Sequence, residues 1–197
     1  MTSTGLVLAA GSSRRMGSPK QLLVVRGKPL LELVVGQVCA SGVDDVLVVL
    51  GAAFEEIQSR VHLGRARVLV NPAHASGMAS SLKAGLASLD AGVDRAVVVL
   101  GDQPDVDAKL LNRLLDLQES SGLPAAALDF NGLLHPPVVL RRELWADLMS
   151  LEGDVGCRAV IRAKPELVAR LPVKGDLTHP IDVDTPEDYA SLFASAP

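Results

Sequence analysis

The sequence has few aromatic residues, few cysteines and only a small excess of charge. Aromatic side chains make up 3% of the chain, so the stacking platforms typical of proteins that bind single-stranded nucleic acids are missing. The net charge of −4 also argues against nucleic-acid binding, which needs a basic surface. Cys39 and Cys157 lack the spacing of a zinc site and are typical of small buried residues in a reducing compartment. We therefore expect no nucleic-acid partner.

Long apolar runs are absent as well. The longest run ends after about seven residues, far short of a membrane span. The apolar stretch 6–10 is too short for a signal peptide, and positive charges follow it instead of preceding it. We therefore expect a soluble, cytoplasmic protein with no membrane partner. With 197 residues, of which 48% are hydrophobic, the chain suits a single domain over 1–197 with an aliphatic core.

Strand patterns alternate with helical patterns in the first part of the chain. Four runs rich in Val and Leu are apolar on both faces, which is typical of strands in a sheet that is covered on both sides: 5–11, 43–51, 66–72 and 95–102. Three stretches with helical spacing end at Gly: 30–42, 78–92 and 107–122. Asp105 or Asp107 is a candidate cap for the last helix. This alternation predicts an α/β fold, a three-layer, mostly parallel sheet with right-handed crossovers.

The second half of the chain is less regular. The Asn131-Gly132 pair predicts a small β-hairpin between strands at 124–132 and 133–140. The Pro136-Pro137 pair limits the second of these strands to a sheet edge or a late start. Further elements are predicted as helices at 141–151 and 154–163, a strand at 166–173 and a helix at 185–194 that is capped by Thr185, with Pro186 at its first position.

Charge is distributed unevenly between the two ends of the chain. The first 31 residues contain five basic residues and no acid, whereas 176–188 contains five acids and neither Lys nor Arg. Solvated surface explains many such blocks, but a site for a polyphosphate and a divalent cation needs the same two poles. The loop LAAGSSRRMGSPK (8–20) fits the first pole, because small residues let backbone N–H groups approach an anion while Arg15 and Lys20 add full charges.

Two familiar phosphate loops do not match this segment. Gly11 and Gly17 are one residue too far apart for the Walker A pattern, and Lys20 is not adjacent to the second glycine. The spacing G-x-G-x-x-G of the dinucleotide fingerprint is absent, and the second strand ends in Gly51 instead of an acid for a ribose hydroxyl. A dinucleotide-dependent redox protein is therefore the least favoured hypothesis.

The loop instead resembles the opening motif of the MobA-like nucleotidyltransferases, L-A-A-G-x-S-x-R-M-G-x-x-K. Further matches follow in chain order: NPAHASGMASSL (71–82), GDQPDV (101–106), HPPVV (135–139), GDVGCRAVI (153–161) and IDVDTPEDY (181–189). The set is most similar to the MocA-type branch, the molybdenum cofactor cytidylyltransferases. The guanylyltransferase branch usually has L-A-G-G, whereas this chain has Ala10. Cys157 stands where the motif usually has Ala.

This resemblance implies a Rossmann-like nucleotidyltransferase fold, with an acceptor-binding part near the hairpin. The implied reaction moves CMP from CTP, or the nucleotide from GTP, onto the phosphate of a molybdopterin-type acceptor and releases pyrophosphate. It implies Mg²⁺ as the cofactor and allows for a molybdenum enzyme as the client. A phosphate nucleophile is already ionised, so positioning and charge neutralisation carry most of the catalysis.

The resemblance also implies a set of site residues. Arg15, Lys20 and Asp102 are the catalytic candidates. Asp102 follows the most apolar strand and is the first metal ligand; Asp184 is favoured over Asp182 as the second, although residues two apart on a strand share a face. The nucleotide-binding candidates are Leu8, Ala9, Ala10, Gly11, Ser12, Ser13, Arg15, Lys20, Asn71, Gly77, Met78, Ser80 and Ser81. The acceptor-binding candidates are His135, Asp154 and Arg158.

Several of these residues, and the neighbouring His74, have an ordinary structural alternative. Asn71 precedes a proline and suits a simple turn, His74 suits a loop, and His135 suits a structural role equally well. Arg158 could pair with an acid on its own helix. Two other functions stay open: nucleotidyl transfer to a sugar phosphate or phospholactate, and a non-catalytic chaperone for the molybdenum cofactor.

Overall fold

The computed structural model describes residues 1–13, 16–173 and 182–194. Its strands are β1 (Ser3–Ala9), β2 (Val24–Val25), β3 (Lys28–Pro29), β4 (Asp45–Leu50), β5 (Arg67–Val70), β6 (Arg95–Leu100), β7 (Ala125–Phe130), β8 (Leu133–Arg141) and β9 (Val168–Pro172). Its helices are α1 (Leu30–Ala40), α2 (Phe54–Arg60), α3 (Met78–Ala87), α4 (Ala108–Ser121), α5 (Trp145–Met149), α6 (Arg158–Ala163) and α7 (Pro186–Ala194).

The central sheet has seven strands in the described part of the chain, in the order β5-β4-β1-β6-β8-β7-β9. The pairs β1–β4, β1–β6, β4–β5 and β7–β9 are parallel, and β8 is antiparallel to both of its neighbours. The carboxyl ends of the parallel strands therefore meet at one edge, where ligands bind in open α/β sheets. The predicted three-layer, mostly parallel sheet is confirmed.

Helices cover both faces of this sheet. The cluster of buried side chains on one face includes Leu31 of α1, Ile57 of α2 and Leu114 of α4. The cluster on the other face includes Leu82 of α3 and Leu148 of α5, together with side chains of α6. The strands β1, β4 and β6 are buried on both faces, as their unbroken Val and Leu runs predict, whereas the edge strand β5 is partly exposed.

The predicted hairpin is present, but it belongs to the main sheet. Asn131 and Gly132 have φ of 52° and 88°, the positive values that a two-residue hairpin turn of this type requires. The expectation of an edge strand at Pro136-Pro137 is wrong, since β8 lies between β6 and β7. The late start is correct for one neighbour: pairing of β8 with β6 runs from Val138 to Arg141. In the pairing of β8 with β7, Val138 lies opposite Ala127 and His135 lies opposite Leu128, so the register shifts and both prolines are left unpaired.

A third, smaller cluster joins the start of the chain to its end. Val25, Leu30 and Val183 are buried together, and Tyr189 packs against them. The Tyr189 hydroxyl also donates a hydrogen bond to the carbonyl oxygen of Val24 at 2.8 Å. The β2–β3 hairpin, the start of α1 and α7 therefore form one packed unit, which brings the basic and acidic ends of the chain to the same place.

Helix positions agree with their caps. The side chain of Asp107 accepts a hydrogen bond from the backbone N–H of Leu110 at 2.7 Å, which selects Asp107 over Asp105 as the cap of α4. The Thr185 hydroxyl accepts from the N–H of Asp188, and the Asp188 carboxylate accepts from the N–H of Thr185, so the predicted cap of α7 is confirmed.

Within the described ranges, no helix is both long enough and apolar enough to cross a bilayer.

Candidate functional site

A cleft of about 660 Å³ lies at the carboxyl edge of β1 and β6. It brings together most of the sequence-predicted residues: Leu8, Ala9, Ala10, Gly11, Ser12, Ser13, Lys20, Gly77, Met78, Ser81, Asp102, Asp154, Asp182 and Asp184. These residues come from five separate segments of the chain. A site for a polyphosphate and a cation requires that such residues lie in one cavity, and they do.

Lys20 joins two carboxylates at the floor of the cleft. Its Nζ donates hydrogen bonds to Asp102 Oδ2 and, at 2.8 Å, to Asp184 Oδ1. The side chains of Lys20 and Asp102 are 17% and 14% exposed. Residues separated by 82 and 164 positions in the chain thus form one ion-pair cluster.

Backbone contacts hold the two carboxylates near each other. The N–H of Val183 donates to the carbonyl oxygen of Asp102 at 3.1 Å, which ties the acidic segment to the end of β6. The N–H of Asp184 donates to the Asp188 carboxylate at 3.1 Å, so the cap of α7 also fixes the backbone of Asp184. Asp182 instead accepts a hydrogen bond from Gln103 Nε2 at 2.8 Å. Lys20 therefore pairs with Asp102 and Asp184, whereas Asp182 is bonded to Gln103 but lies near enough for its charge to raise the pKa of Asp102.

Burial and pairing shift the protonation of this cluster. Burial alone would lower the pKa of Lys20, but the charges and hydrogen bonds of Asp102 and Asp184 raise it overall. Burial raises the pKa of Asp102 and outweighs the lowering by Lys20. The ammonium of Lys20 is therefore firmly charged, and a second positive charge would favour the ionised form of Asp102.

The carboxylates fit a hard divalent cation. Asp102 Oδ1 is buried and has no hydrogen-bond partner among the described residues, a costly state for a carboxylate oxygen. Mg²⁺ and similar ions prefer oxygen ligands and need only one or two carboxylates beside water and phosphate. No group of three or more His, Cys, Asp or Glu side chains in the described ranges is placed to hold a metal. Asp102 and Asp184 therefore suit an ion that the substrate also helps to bind.

Two glycines let the loop after β1 lie close to its neighbours. A Cβ at Gly51 would lie 2.5 Å from His74 Cβ and 2.7 Å from the carbonyl oxygen of Ala10, and one at Gly101 would lie 2.9 Å from Ala9 Cβ. Any side chain at either position would push the walls of the cleft apart. The described part of the loop is thus packed directly against the ends of β4 and β6.

The segment 71–82 forms the opposite wall, with Asn71 behind it. Asn71 is 3% exposed, and its Nδ2 donates to the hydroxyls of Ser80 and Ser81 at 2.9 and 3.0 Å. Its Oδ1 accepts from the N–H of Ala73 at 3.0 Å. Ser81 lines the cleft, whereas Asn71 and Ser80 do not. Asn71 therefore organises this wall, and direct contact of Asn71 or Ser80 with a nucleotide stays a prediction.

The turn at 153–154 closes the start of α3. Met78 N–H donates to Asp154 Oδ1 at 3.3 Å, and Ala79 N–H donates to the carbonyl oxygen of Gly153 at 3.1 Å. Gly77 has φ of 108°, and a Cβ there would lie 2.3 Å from the carbonyl carbon of Gly153. Asp154 is therefore exposed in the cleft and also accepts a hydrogen bond that holds the start of α3.

Two further candidates, His135 and Arg158, lie outside the cleft. His135 is half-buried on β8, and its ring meets that of Phe130 edge-on at 5.6 Å. Arg158 is half-buried at the first position of α6. Neither lines the cavity, so their acceptor-binding roles stay predictions. Arg15 lies outside the described residues.

The cleft also contains residues that the sequence did not single out. These are Gln21, His74, Ala75, Ser76, Leu100 and Gly101. His74 and Gly101 lie inside motifs already identified, so their positions could have been inferred from their neighbours. Gln21 had no such signal, because a glutamine beside a lysine is usually a surface residue; here it is 2% exposed.

The fold and the cleft define the class of protein. An open α/β sheet carries a small-residue loop, a lysine and two carboxylates at the carboxyl ends of its strands, which is the arrangement of a nucleotide-binding domain that also uses a cation.

Comparisons with known proteins agree with this class. Residues 5–169 match the model of the MobA-like NTP transferase domain. The nicotine blue oxidoreductase of Paenarthrobacter nicotinovorans is 35% identical, with 96% of each chain covered. The purine catabolism protein PucB of Bacillus subtilis is 30% identical over 94% of this chain and 93% of its own. The protein Rv0371c of Mycobacterium tuberculosis has a crystal structure with TM-score 0.88, 31% identity and complete coverage of both chains.

The chain belongs to the MobA-like NTP transferase family. A second structure of Rv0371c is a complex with manganese and has TM-score 0.85 and 29% identity over the whole of both chains. The resemblance inferred from the sequence motifs is therefore confirmed at the level of the family.

Proposed function

We propose that this protein is a cytoplasmic nucleotidyltransferase that moves CMP from CTP onto the phosphate of a molybdopterin-type molybdenum cofactor. One observation carries the proposal: Lys20, Asp102 and Asp184 form a single cluster beside the small-residue loop. A triphosphate needs that positive charge, and a bound Mg²⁺ or Mn²⁺ needs those carboxylates.

The chemistry is an exchange of one phosphoryl bond for another. An oxygen of the acceptor phosphate attacks the α-phosphorus of CTP, and the bond from the α-phosphorus to the bridging oxygen breaks. The electron pair of that bond leaves with pyrophosphate. No proton has to be removed from the nucleophile, because the acceptor phosphate is already ionised. Orientation and charge neutralisation are therefore the main tasks of the protein.

The residues divide these tasks among themselves. Backbone N–H groups of 10–13 bind phosphate oxygens, and Lys20 supplies a full positive charge to them. Arg15 is assigned the same role from the family motif. Asp102 and Asp184 would hold the divalent cation, which neutralises negative charge on the phosphates when it is bound. Lys20 is paired with Asp102 and Asp184, and it would be available to phosphate oxygens if those carboxylates held a cation.

The choice of CTP and of the acceptor follows from the motifs. Ala10 stands where the guanylyltransferase branch usually has glycine, which supports CTP over GTP. The HPPVV and GDVGCRAVI segments support a molybdopterin-type acceptor, with His135, Asp154 and Arg158 as its candidate contacts. A molybdenum enzyme would then be the client that receives the product.

The direct test is release of pyrophosphate. The purified protein is incubated with molybdenum cofactor, Mg²⁺ and either CTP or GTP. We expect release with CTP in preference to GTP. Preference for GTP would assign the chain to the guanylyltransferase branch, and release only with a sugar phosphate or phospholactate would replace the acceptor. No release with any of these pairs would contradict nucleotidyl transfer.

Two functions of other classes are tested by further assays beside the release of pyrophosphate. The variant Asp102→Ala separates an enzyme from a molybdenum cofactor chaperone. If the protein is an enzyme, the variant should lose turnover while its fold stays intact. If the protein is a chaperone, the variant should still deliver cofactor to its client. A relative is named nicotine blue oxidoreductase, so oxidation of NADH in the presence of nicotine blue is measured in parallel. NADH oxidation without pyrophosphate release would favour redox chemistry over the proposed function.

A further inference from the structure

Gln21 is a buried polar residue placed behind the loop that follows β1. It is 2% exposed, and its amide Nε2 donates to two loop carbonyls, that of Ala9 at 2.9 Å and that of Gly11 at 3.1 Å. Its Oε1 accepts from the hydroxyl of Ser13 at 3.4 Å. One side chain thus contacts three of the five residues 9–13, which begin with the last residue of β1.

These contacts fix the direction in which the loop presents its N–H groups. In a trans peptide the carbonyl of one residue and the N–H of the next point in opposite directions. Because the carbonyl of Gly11 points toward Gln21, the N–H of Ser12 points away from it. Ser13 has φ of 50°, an uncommon conformation outside glycine that needs support from its surroundings. Its hydroxyl supplies part of that support by accepting from the N–H of Lys20 at 3.0 Å.

We propose that Gln21 is a positioning residue that holds the loop 9–13 in the conformation that binds the triphosphate. The inference rests on the proposed function, since it assigns the loop to phosphate. The two N–H donors of one amide satisfy two carbonyls that would otherwise face a buried, unpaired environment. Gln21 acts through the backbone of the loop, since its amide donates to the carbonyls of Ala9 and Gly11.

A structural role alone would also explain a buried, hydrogen-bonded glutamine, and Gln118 provides the matched control. Gln118 is fully buried, accepts from Arg95 Nη1 at 2.9 Å and donates to the carbonyl of Leu123 at 2.9 Å. Arg95 begins β6, so this network lies at the opposite edge of the sheet from the cleft. A Gln→Met change at either position keeps the length of the side chain and removes its polar amide.

The experiment measures binding of inorganic triphosphate and of CTP, each with Mg²⁺, by titration calorimetry. We expect Gln21→Met to raise both dissociation constants about tenfold, the effect of losing roughly 1.4 kcal/mol of hydrogen bonding. Gln118→Met should leave both within about twofold, while losing a comparable amount of stability. Hydrogen exchange of the backbone amides at 10–13 should quicken in Gln21→Met and stay unchanged in Gln118→Met.

The outcomes separate this inference from the proposed function. Equal affinities for wild type and Gln21→Met would overturn the role of Gln21 and leave nucleotidyl transfer untouched. Binding of triphosphate that weakens in Gln21→Met, without pyrophosphate release from CTP, would support Gln21 and contradict the proposed reaction. No binding of triphosphate by the wild type would overturn both. If Gln21→Met does not fold, Gln21→Glu is used, since its carboxyl group keeps the shape and cannot supply both of the donors that the amide supplies.

Discussion

At the scale of single residues, the cleft depends on the charge balance around Lys20. Lys20→Met removes the ammonium group that pairs with the buried Asp102 carboxylate, and loss of one member of such a pair is strongly destabilising. We expect a loss of about 3 kcal/mol in the free energy of unfolding, measured by urea denaturation without metal. Added MnCl₂ should recover part of this loss, because Asp102 and Asp184 fit a divalent cation.

The exposed pair between Arg60 and Glu56, 59% and 49% exposed, provides the control. Arg60→Met should change stability by no more than about 0.5 kcal/mol and show no dependence on MnCl₂. A Lys20→Met protein as stable as the wild type, or one that MnCl₂ does not affect, would contradict the charge cluster.

Cys157 gives a prediction that depends on pH. It is 3% exposed, and burial raises the pKa of its thiol to about 12. Between pH 9 and the folded pKa, the unfolded chain loses this proton and the folded chain keeps it, so the thiol lowers stability as the pH rises. Cys157→Ala should cost about 1 kcal/mol at pH 7 by leaving a small cavity. The difference from wild type should shrink by pH 10, as measured by urea denaturation at both pH values. A constant difference would contradict the raised pKa.

At the scale of elements, the junction of α3 with the 153–154 turn has no room for a side chain. Gly77 combines φ of 108° and ψ of 175°, a backbone region that is essentially limited to glycine. Gly77→Ala should therefore lower the free energy of unfolding by about 3 kcal/mol, from backbone strain and the collision with Gly153. Gly92→Ala is the matched change, because a Cβ at Gly92 would meet nothing within 4 Å. Equal urea midpoints for the two variants would show that the junction adapts.

The elements that were predicted correctly are those whose patterns are long and local. The Val and Leu runs identify β1, β4 and β6 because burial on both faces leaves no polar interruption. The same kind of run identifies β5, although β5 lies at the edge of the sheet and is partly exposed. Three helices of ten or more residues were identified by their spacing and their glycine ends. The short helix α2 was not predicted. It begins after Ala53, which has φ of 55°, and no side-chain pattern announces such a start.

The elements that were missed or misplaced depend on contacts between distant parts of the chain. The β2–β3 hairpin has two residues in each strand and is held by packing against α1 and α7. The interior place of β8 could not be inferred from Pro136-Pro137, because the prolines lie where β8 has not yet begun to pair with β6. The role of Gln21 was hidden for the same reason, since its partners are carbonyl oxygens, which carry no sequence signal.

At the scale of the whole molecule, the cleft couples folding to ligand binding. The basic loop follows β1, the acidic segment precedes α7, and the small cluster around Val25 and Val183 joins them. A ligand that binds both poles should therefore stabilise the entire domain. With CTP and MnCl₂ at 100 times the dissociation constant, mass action predicts about 2.7 kcal/mol of added stability.

The carboxylates differ in how they should affect this coupling. Asp102→Asn and Asp184→Asn each remove a proposed metal ligand, so the stabilisation by CTP with MnCl₂ should nearly disappear. Asp182→Asn should keep most of it, because its side chain still accepts the hydrogen bond from Gln103. Thermal unfolding of the four proteins, with and without the ligands, makes the comparison. If Asp182→Asn loses the stabilisation and Asp184→Asn keeps it, the second metal ligand is Asp182. In that case the contacts of Lys20 with Asp102 and Asp184 do not indicate which carboxylates bind the cation.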